Sequence, residues 1–122
     1  MSFVHRIDER TGILHCTMQG RMTLSDFLAA LDEMTPGGTF PTSHRLYDMR
    51  ECIPDVSTAE VHLVATETER RDRPGSRIAM VSGIDLTYGL LRQYEGFRQG
   101  TQSEIRVFRT LEPALAWLAE ER

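Results

Sequence analysis

Ser57 and Thr58 follow Asp55 just ahead of an apolar-periodic run that begins near Val61. Hydroxyls in that position can accept hydrogen bonds from the free N–H groups that open a helix. A phosphate carried there would meet the same N–H groups and the positive end of the helix dipole. It would also add roughly −1.5 to −2 charge to the surface. The plainer use is capping alone, worth about 1 kcal/mol. A second polar group is Asp48, Arg50, Ser82, Asp85 and Tyr88. These residues end apolar strand-like runs or open the helix that follows, so a parallel sheet would gather them on one rim. There they would either orient a small polar ligand or form a satisfied ion-pair and cap network, with Asp85 as an N-cap.

Other chemistries leave weaker traces. The four histidines, His5, His15, His44 and His62, form no HxH or HExxH pattern, so no metal site is expected. His5 and His15 are placed to face each other across a hairpin. Cys52 reads as a loop thiol beside Arg50, a neighbour that would lower its pKa. No general base is paired with it in sequence. Pro36-Gly37-Gly38 lacks the preceding strand and following Lys of a phosphate loop. No cofactor is expected. The residues favour a binding protein over an enzyme; an enzyme would have to use Cys52 or the Asp48/Asp85 pair.

With 122 residues the chain is read as one domain, 1–122, large enough to bury a core without staples. The net charge of −4 argues against electrostatic binding to nucleic acid or anionic membrane. Every one of the 14 basic residues is Arg. The two cysteines, Cys16 and Cys52, show no pairing pattern, and no apolar run approaches the roughly 20 residues of a membrane span. A cytoplasmic location is therefore expected.

The elements that must position these residues are legible from periodicity. Phe3 to Asp8 and Ile13 to Gln19 alternate with a period of two around the turn Glu9-Arg10-Thr11-Gly12, predicting a half-exposed edge hairpin. Thr23 with Asp26 forms a capping box, and Leu24, Phe27, Leu28, Leu31 and Met34 form the inner stripe of a first helix. Pro36-Gly37-Gly38 ends it, and Thr39 to Ser43 reads as a flexible loop. Three strand–helix units follow. Arg45 to Met49 leads into a helix from Asp55 or Ser57 to about Arg71, with Val61, Val64, Ala65 and Thr68 inward and a solvated charged end at Glu67 to Arg73. Arg77 to Ser82 leads into a helix from Asp85 with Leu86, Gly89, Leu90 and Phe97 inward, Gly89 allowing close approach to the sheet. Ile105 to Phe108 leads into a helix from Thr110, with Leu111, Ala114, Leu115 and Leu118 inward, Pro113 in its first turn and Trp117 beside the core face.

In this order the chain resembles the SpoIIAA-like family, bacterial proteins related to STAS domains. The resemblance is carried by Gly20-Arg21-Met22-Thr23 with Asp26, Leu46-Tyr47-Asp48-Met49-Arg50, Asp85-Leu86-Thr87-Tyr88-Gly89-Leu90, Val107-Phe108-Arg109 and Ala114-Leu115-Ala116-Trp117-Leu118. It implies an α/β fold: a single sheet of about five strands, mostly parallel with an N-terminal hairpin, and about four helices. STAS domains are generally binding modules. Regulatory members carry a phosphorylatable serine in an Asp-Ser-Ser-Gly-like turn, and Asp55-Val56-Ser57-Thr58-Ala59 occupies that place, without the Gly. Other relatives of the fold are thought to hold small apolar or nucleotide-like ligands at the sheet edge.

The leading expectation is a non-enzymatic binding or regulatory module, switched by phosphorylation near Ser57 and acting on a protein partner. The alternative is a carrier of a small apolar or polar-headed ligand at the strand C-terminal rim, near Leu63, Met80, Leu90 and Leu91. An unfilled apolar pocket beside the third helix would favour the carrier. A homodimer is expected from the uncovered hairpin edge, where Val4, Leu14 and Trp117 are read as surface apolar residues.

Overall fold

The computed structural model describes residues 2–120. The predicted hairpin opens the chain. Strands β1 (Ser2–Ile7) and β2 (Leu14–Thr23) pair antiparallel, and Gly12 takes a φ of 73° in the turn between them. Helix α1 (Leu24–Met34) follows directly from β2 through the Thr23/Asp26 capping box. Then come β3 (His44–Asp55), α2 (Thr58–Arg71), β4 (Arg77–Val81), α3 (Asp85–Phe97), β5 (Glu104–Phe108) and α4 (Leu111–Ala119). The sheet order is β1-β2-β3-β4-β5, and every pairing after the hairpin is parallel.

That order decides which face each helix covers. Parallel crossovers are right-handed, and three that step in one direction must put α1, α2 and α3 on one face. Helix α4 follows the last strand, is not a crossover, and packs on the other face. The larger core joins α1, α2 and α3 to Leu14, Cys16, Met18, Tyr47, Met49, Ile78, Met80 and Ile105. The smaller one joins Ala114, Trp117 and Leu118 of α4 to Leu46, Ala79 and Val81. Trp117 is therefore core rather than surface, while Leu115 sits at the boundary of exposure. Leu14 is likewise buried.

Strand β3 is longer than its sequence pattern predicts. A bulge opposite Met18 inserts an extra residue, so the register passes from Thr17↔Asp48 to Gln19↔Glu51. The insertion reverses the alternation: Tyr47 and Met49 point into the larger core before it, Cys52 and Pro54 after it. An uninterrupted period-two reading ends the strand at Met49 and assigns Cys52 to a loop. Cys52 is instead a fully buried strand residue.

Three further expectations change. Helix α3 buries Thr87, Leu91 and Tyr94, leaving Leu86 64% exposed and Phe97 at the surface. The polar members of that stripe are buried because they bond inward, so hydrophobicity alone picks a face one position away. A methyl group on Gly89 would meet no atom within 4 Å, so close approach to the sheet is not its role. The loop after α1 is pinned, with Phe40 fully buried and its backbone N–H donating to the Arg71 carbonyl at 3.0 Å. Among the described residues no helix is long and apolar enough to cross a membrane.

Candidate functional site

The continuation of β3 beyond β4 creates a cavity. Pairing of β3 with β4 ends at Asp48↔Val81, whereas β2 and β3 continue together to Thr23↔Asp55. The extension forms a wall under the N-terminal halves of α2 and α3. The Thr87 hydroxyl at the start of α3 fastens to it by donating to the Cys52 carbonyl at 2.8 Å. Between this wall, the helices and the sheet lies a cavity of about 80 Å³. Its lining includes Met18, Met49 and Met80 from the strands, Val61 and Val64 from α2, and Leu90 and Leu91 from α3. Phe27 of α1, with Pro54 and Val56 of the β3–α2 connection, completes the apolar wall.

Two of the residues that line it carry hydroxyls, and both are tyrosines. Tyr47 and Tyr94 line the cavity, but their hydroxyls point to a buried ion cluster at the other end of the same helices. There Asp72, the C-cap of α2, has a side chain only 2% exposed and accepts from Arg45 at 2.6 Å and from Arg98. Ser103 adds a third hydrogen bond to that carboxylate at 3.0 Å. Arg45 Nε donates to the Tyr47 hydroxyl at 3.2 Å, and its guanidinium lies 3.6 Å from the centre of the Phe40 ring. Arg98 Nη1 donates to Thr68 and Tyr94 at 2.9 and 2.8 Å. Burial opposes the charge of Arg45, but Tyr47 and Asp72 beside it outweigh that and raise its pKa. Burial raises the pKa of Tyr47 and keeps its phenol neutral. Two guanidiniums against one carboxylate leave an excess positive charge, and Asp72 and Arg98 both sit at helix C-termini, whose dipoles favour it.

Sequence reasoning missed this cluster. Asp72 stands among Glu67, Arg70, Arg71 and Arg73, and the run reads as a solvated helix end. No local pattern distinguishes the one member that turns inward.

The residues singled out from the sequence fall into separate groups. Asp48 lies on the α4 face of β3 and is paired with Arg50 at 2.8 Å; the hydrogen bond from Arg50 holds its carboxyl below the usual range. Ser57 caps α2, its hydroxyl accepting from the Glu60 N–H at 3.2 Å while Glu60 accepts from the Ser57 N–H at 2.9 Å. Thr58 donates to Gln93 of α3 at 3.3 Å. Ser82 is fully buried and accepts from the Ile84 N–H at 3.2 Å. Asp85 is not the N-cap of α3: that residue is Ile84, with no side-chain cap bond. The Asp85 side chain, 94% exposed, accepts from Arg109 at 2.6 Å, and Arg109 lies 3.8 Å from the centre of the Tyr88 ring. The Asp48/Arg50 and Asp85/Arg109 pairs are closed on themselves, and Ser57 and Thr58 follow the cavity-lining Val56 in sequence without lining the cavity themselves.

Neither cysteine is activated. Burial pushes the Cys52 thiol up to about 11 and, with Cys52 nearby, the Cys16 thiol up to about 12, the reverse of the lowering expected from Arg50. His5 and His15 occupy opposite faces of the sheet: His5 reaches Glu33 of α1 at 3.4 Å, while His15 lines the groove beside α4. Leu63, expected near the apolar pocket, is exposed on the outer side of α2.

No protein-family model matches the chain, and no curated protein matches it. Among solved structures it is similar to an uncharacterised protein of the DUF3478 family with a SpoIIAA-like fold from Shewanella loihica PV-4. The TM-score is 0.62 at 18% sequence identity, covering 97% of this chain and 93% of that one. The fold is SpoIIAA-like.

Proposed function

We propose that this SpoIIAA-like domain is a binding module that holds a small apolar ligand in the cavity between α2, α3 and the extended β3 strand. The observation that carries this reading is the chemistry of the wall. It is apolar apart from two tyrosine rings, and their hydroxyls are already engaged in the ion cluster. A cavity with no polar group to offer excludes polar ligands, because each polar atom taken in would lose its water bonds without replacement. The cavity opens to solvent on one side, and an apolar guest that takes the place of water against its walls is favoured. The volume of about 80 Å³ suits a short or narrow apolar group. Met18, Met49 and Met80 have the flexibility to widen the space for a larger one.

The regulatory reading has less support. Ser57 already has a use, in a complete capping box with Glu60. The Asp48/Arg50 and Asp85/Arg109 pairs present no free charge for a polar head group.

A fluorescent apolar dye and a panel of short alkyl and aryl compounds test the proposal by titration and thermal shift. Saturable binding by the parent is the expected result, with a raised melting temperature. Leu90→Trp, placed at the partly buried edge of the cavity, is expected to abolish uptake while keeping the fold. Absence of saturable binding by the parent, or unchanged binding by Leu90→Trp, would overturn it.

A further inference from the structure

Helix α4 covers only part of its face of the sheet. It packs on β3, β4 and β5, leaving the outer surface of β1 and β2 bare. A groove of about 570 Å³ runs between them, floored by Val4, Arg6, His15 and Thr17 and walled by Leu111 and Leu115 of α4. The bare surface is partly apolar. Val4 is 71% exposed, and Ile53, on the same face of the β3 extension, is also exposed.

Helix α4 has the matching peculiarity. It is the most apolar helix of the chain, yet its outer side, Glu112, Leu115, Ala116 and Ala119, is open to solvent. A helix apolar on all sides is normally covered on all sides. The charges of the two surfaces are opposite. Helix α4 carries Glu112 and no basic residue. The groove carries Arg6, whose nearest carboxylate oxygen, on Asp8, is 3.9 Å away; its Asp48 is paired with Arg50 at 2.8 Å, and burial lowers the pKa of His15, so that ring adds no charge at neutral pH.

We infer that these two surfaces bind each other between two copies of the chain. The α4 helix of each copy covers the bare β1–β2 face of the other, with Glu112 against Arg6. Because such an interface is two-fold symmetric, each complementary contact occurs twice. Both α4 helices then lie between two sheets, the apolar helix is covered on both sides, and Val4 leaves water.

Analytical ultracentrifugation and light scattering test this on the full chain. The parent is expected to be a dimer at micromolar concentration. Ala116→Glu changes an exposed helical position, so each copy keeps its fold, confirmed by an unchanged circular dichroism spectrum. It is expected to weaken association at least about thirtyfold, as an unpaired charge buried in an interface does. Arg6→Glu is expected to weaken it as well, and Arg6→Glu combined with Glu112→Arg to restore it. A parent that stays monomeric at millimolar concentration would overturn the inference. So would a dimer that Ala116→Glu leaves intact, since association would then use another surface such as the β1 edge.

Discussion

The two ends of the layer between the sheet and helices α2 and α3 are built on opposite principles. At the helix C-termini Arg45, Asp72 and Arg98 are buried and joined by directional bonds to Tyr47, Tyr94, Thr68 and Ser103. At the N-termini the same layer holds three methionines, a proline and branched aliphatic residues around a void. Tyr47 and Tyr94 belong to both, with rings in the cavity wall and hydroxyls in the cluster. The difference concerns tolerance. A buried charge has one acceptable arrangement, because its loss of water is offset only by specific partners. Apolar contacts are non-directional, and methionine walls repack at small cost. One end therefore fixes the spacing of the helices, and the other can adapt to what it holds.

The largest expected effect breaks the charged end. Asp72→Asn keeps the shape and leaves two buried guanidiniums without their carboxylate, costing about 3–5 kcal/mol. Urea denaturation would measure it, and a loss below about 1 kcal/mol would show that the cluster is effectively solvated. Replacing all three residues together, Arg45→Met, Asp72→Leu and Arg98→Met, should recover most of that loss, since the unpaired charges disappear with the pair.

A smaller effect is expected at the apolar end. Met80→Ala should cost about 2 kcal/mol, near the lower limit for core truncations, because Met18 and Met49 can move toward the space. The same variant should take up larger apolar dyes than the parent. A cost matching that of Asp72→Asn, with no change in dye preference, would erase the contrast between the ends.

The smallest pair compares two positions at the N-terminal ends of the helices over the cavity. Ser57→Ala removes a formed cap and should cost about 1 kcal/mol, whereas Ser57→Asp should be nearly neutral. Gly89→Ala should stabilise by about 1 kcal/mol, since helical glycine is costly and the added methyl meets open space. Thermal melts of the three variants would check both. Destabilisation by Gly89→Ala would contradict the open space around that position.

Much of this architecture was readable before folding. Period-two runs placed β1 and most of β2, short apolar runs placed β4 and β5, and Thr23/Asp26 and Ser57 marked two helix starts through chemistry contained within one turn. The inner stripe of α2 was legible for the same reason: Val61, Ala65 and Thr68 recur at helical spacing. Where the pattern failed, the deciding contact was distant in sequence. The β3 bulge is defined by its pairing with β2. The inner face of α3 is set by the bond from Thr87 to Cys52 and by Tyr94 in the ion cluster. Asp72 looks like its charged neighbours until Arg45, Arg98 and Ser103 arrive, 27, 26 and 31 residues away.

The sequence by itself thus determined the order of the elements, the hairpin, the parallel layering and the caps, because each depends on local dihedral preferences and periodicity. Only the tertiary structure decided which polar side chains are buried, where the strand alternation reverses, and that an apolar cavity remains beside α3. Those features come from how surfaces far apart in the chain fit together, and no window of neighbouring residues contains that fit.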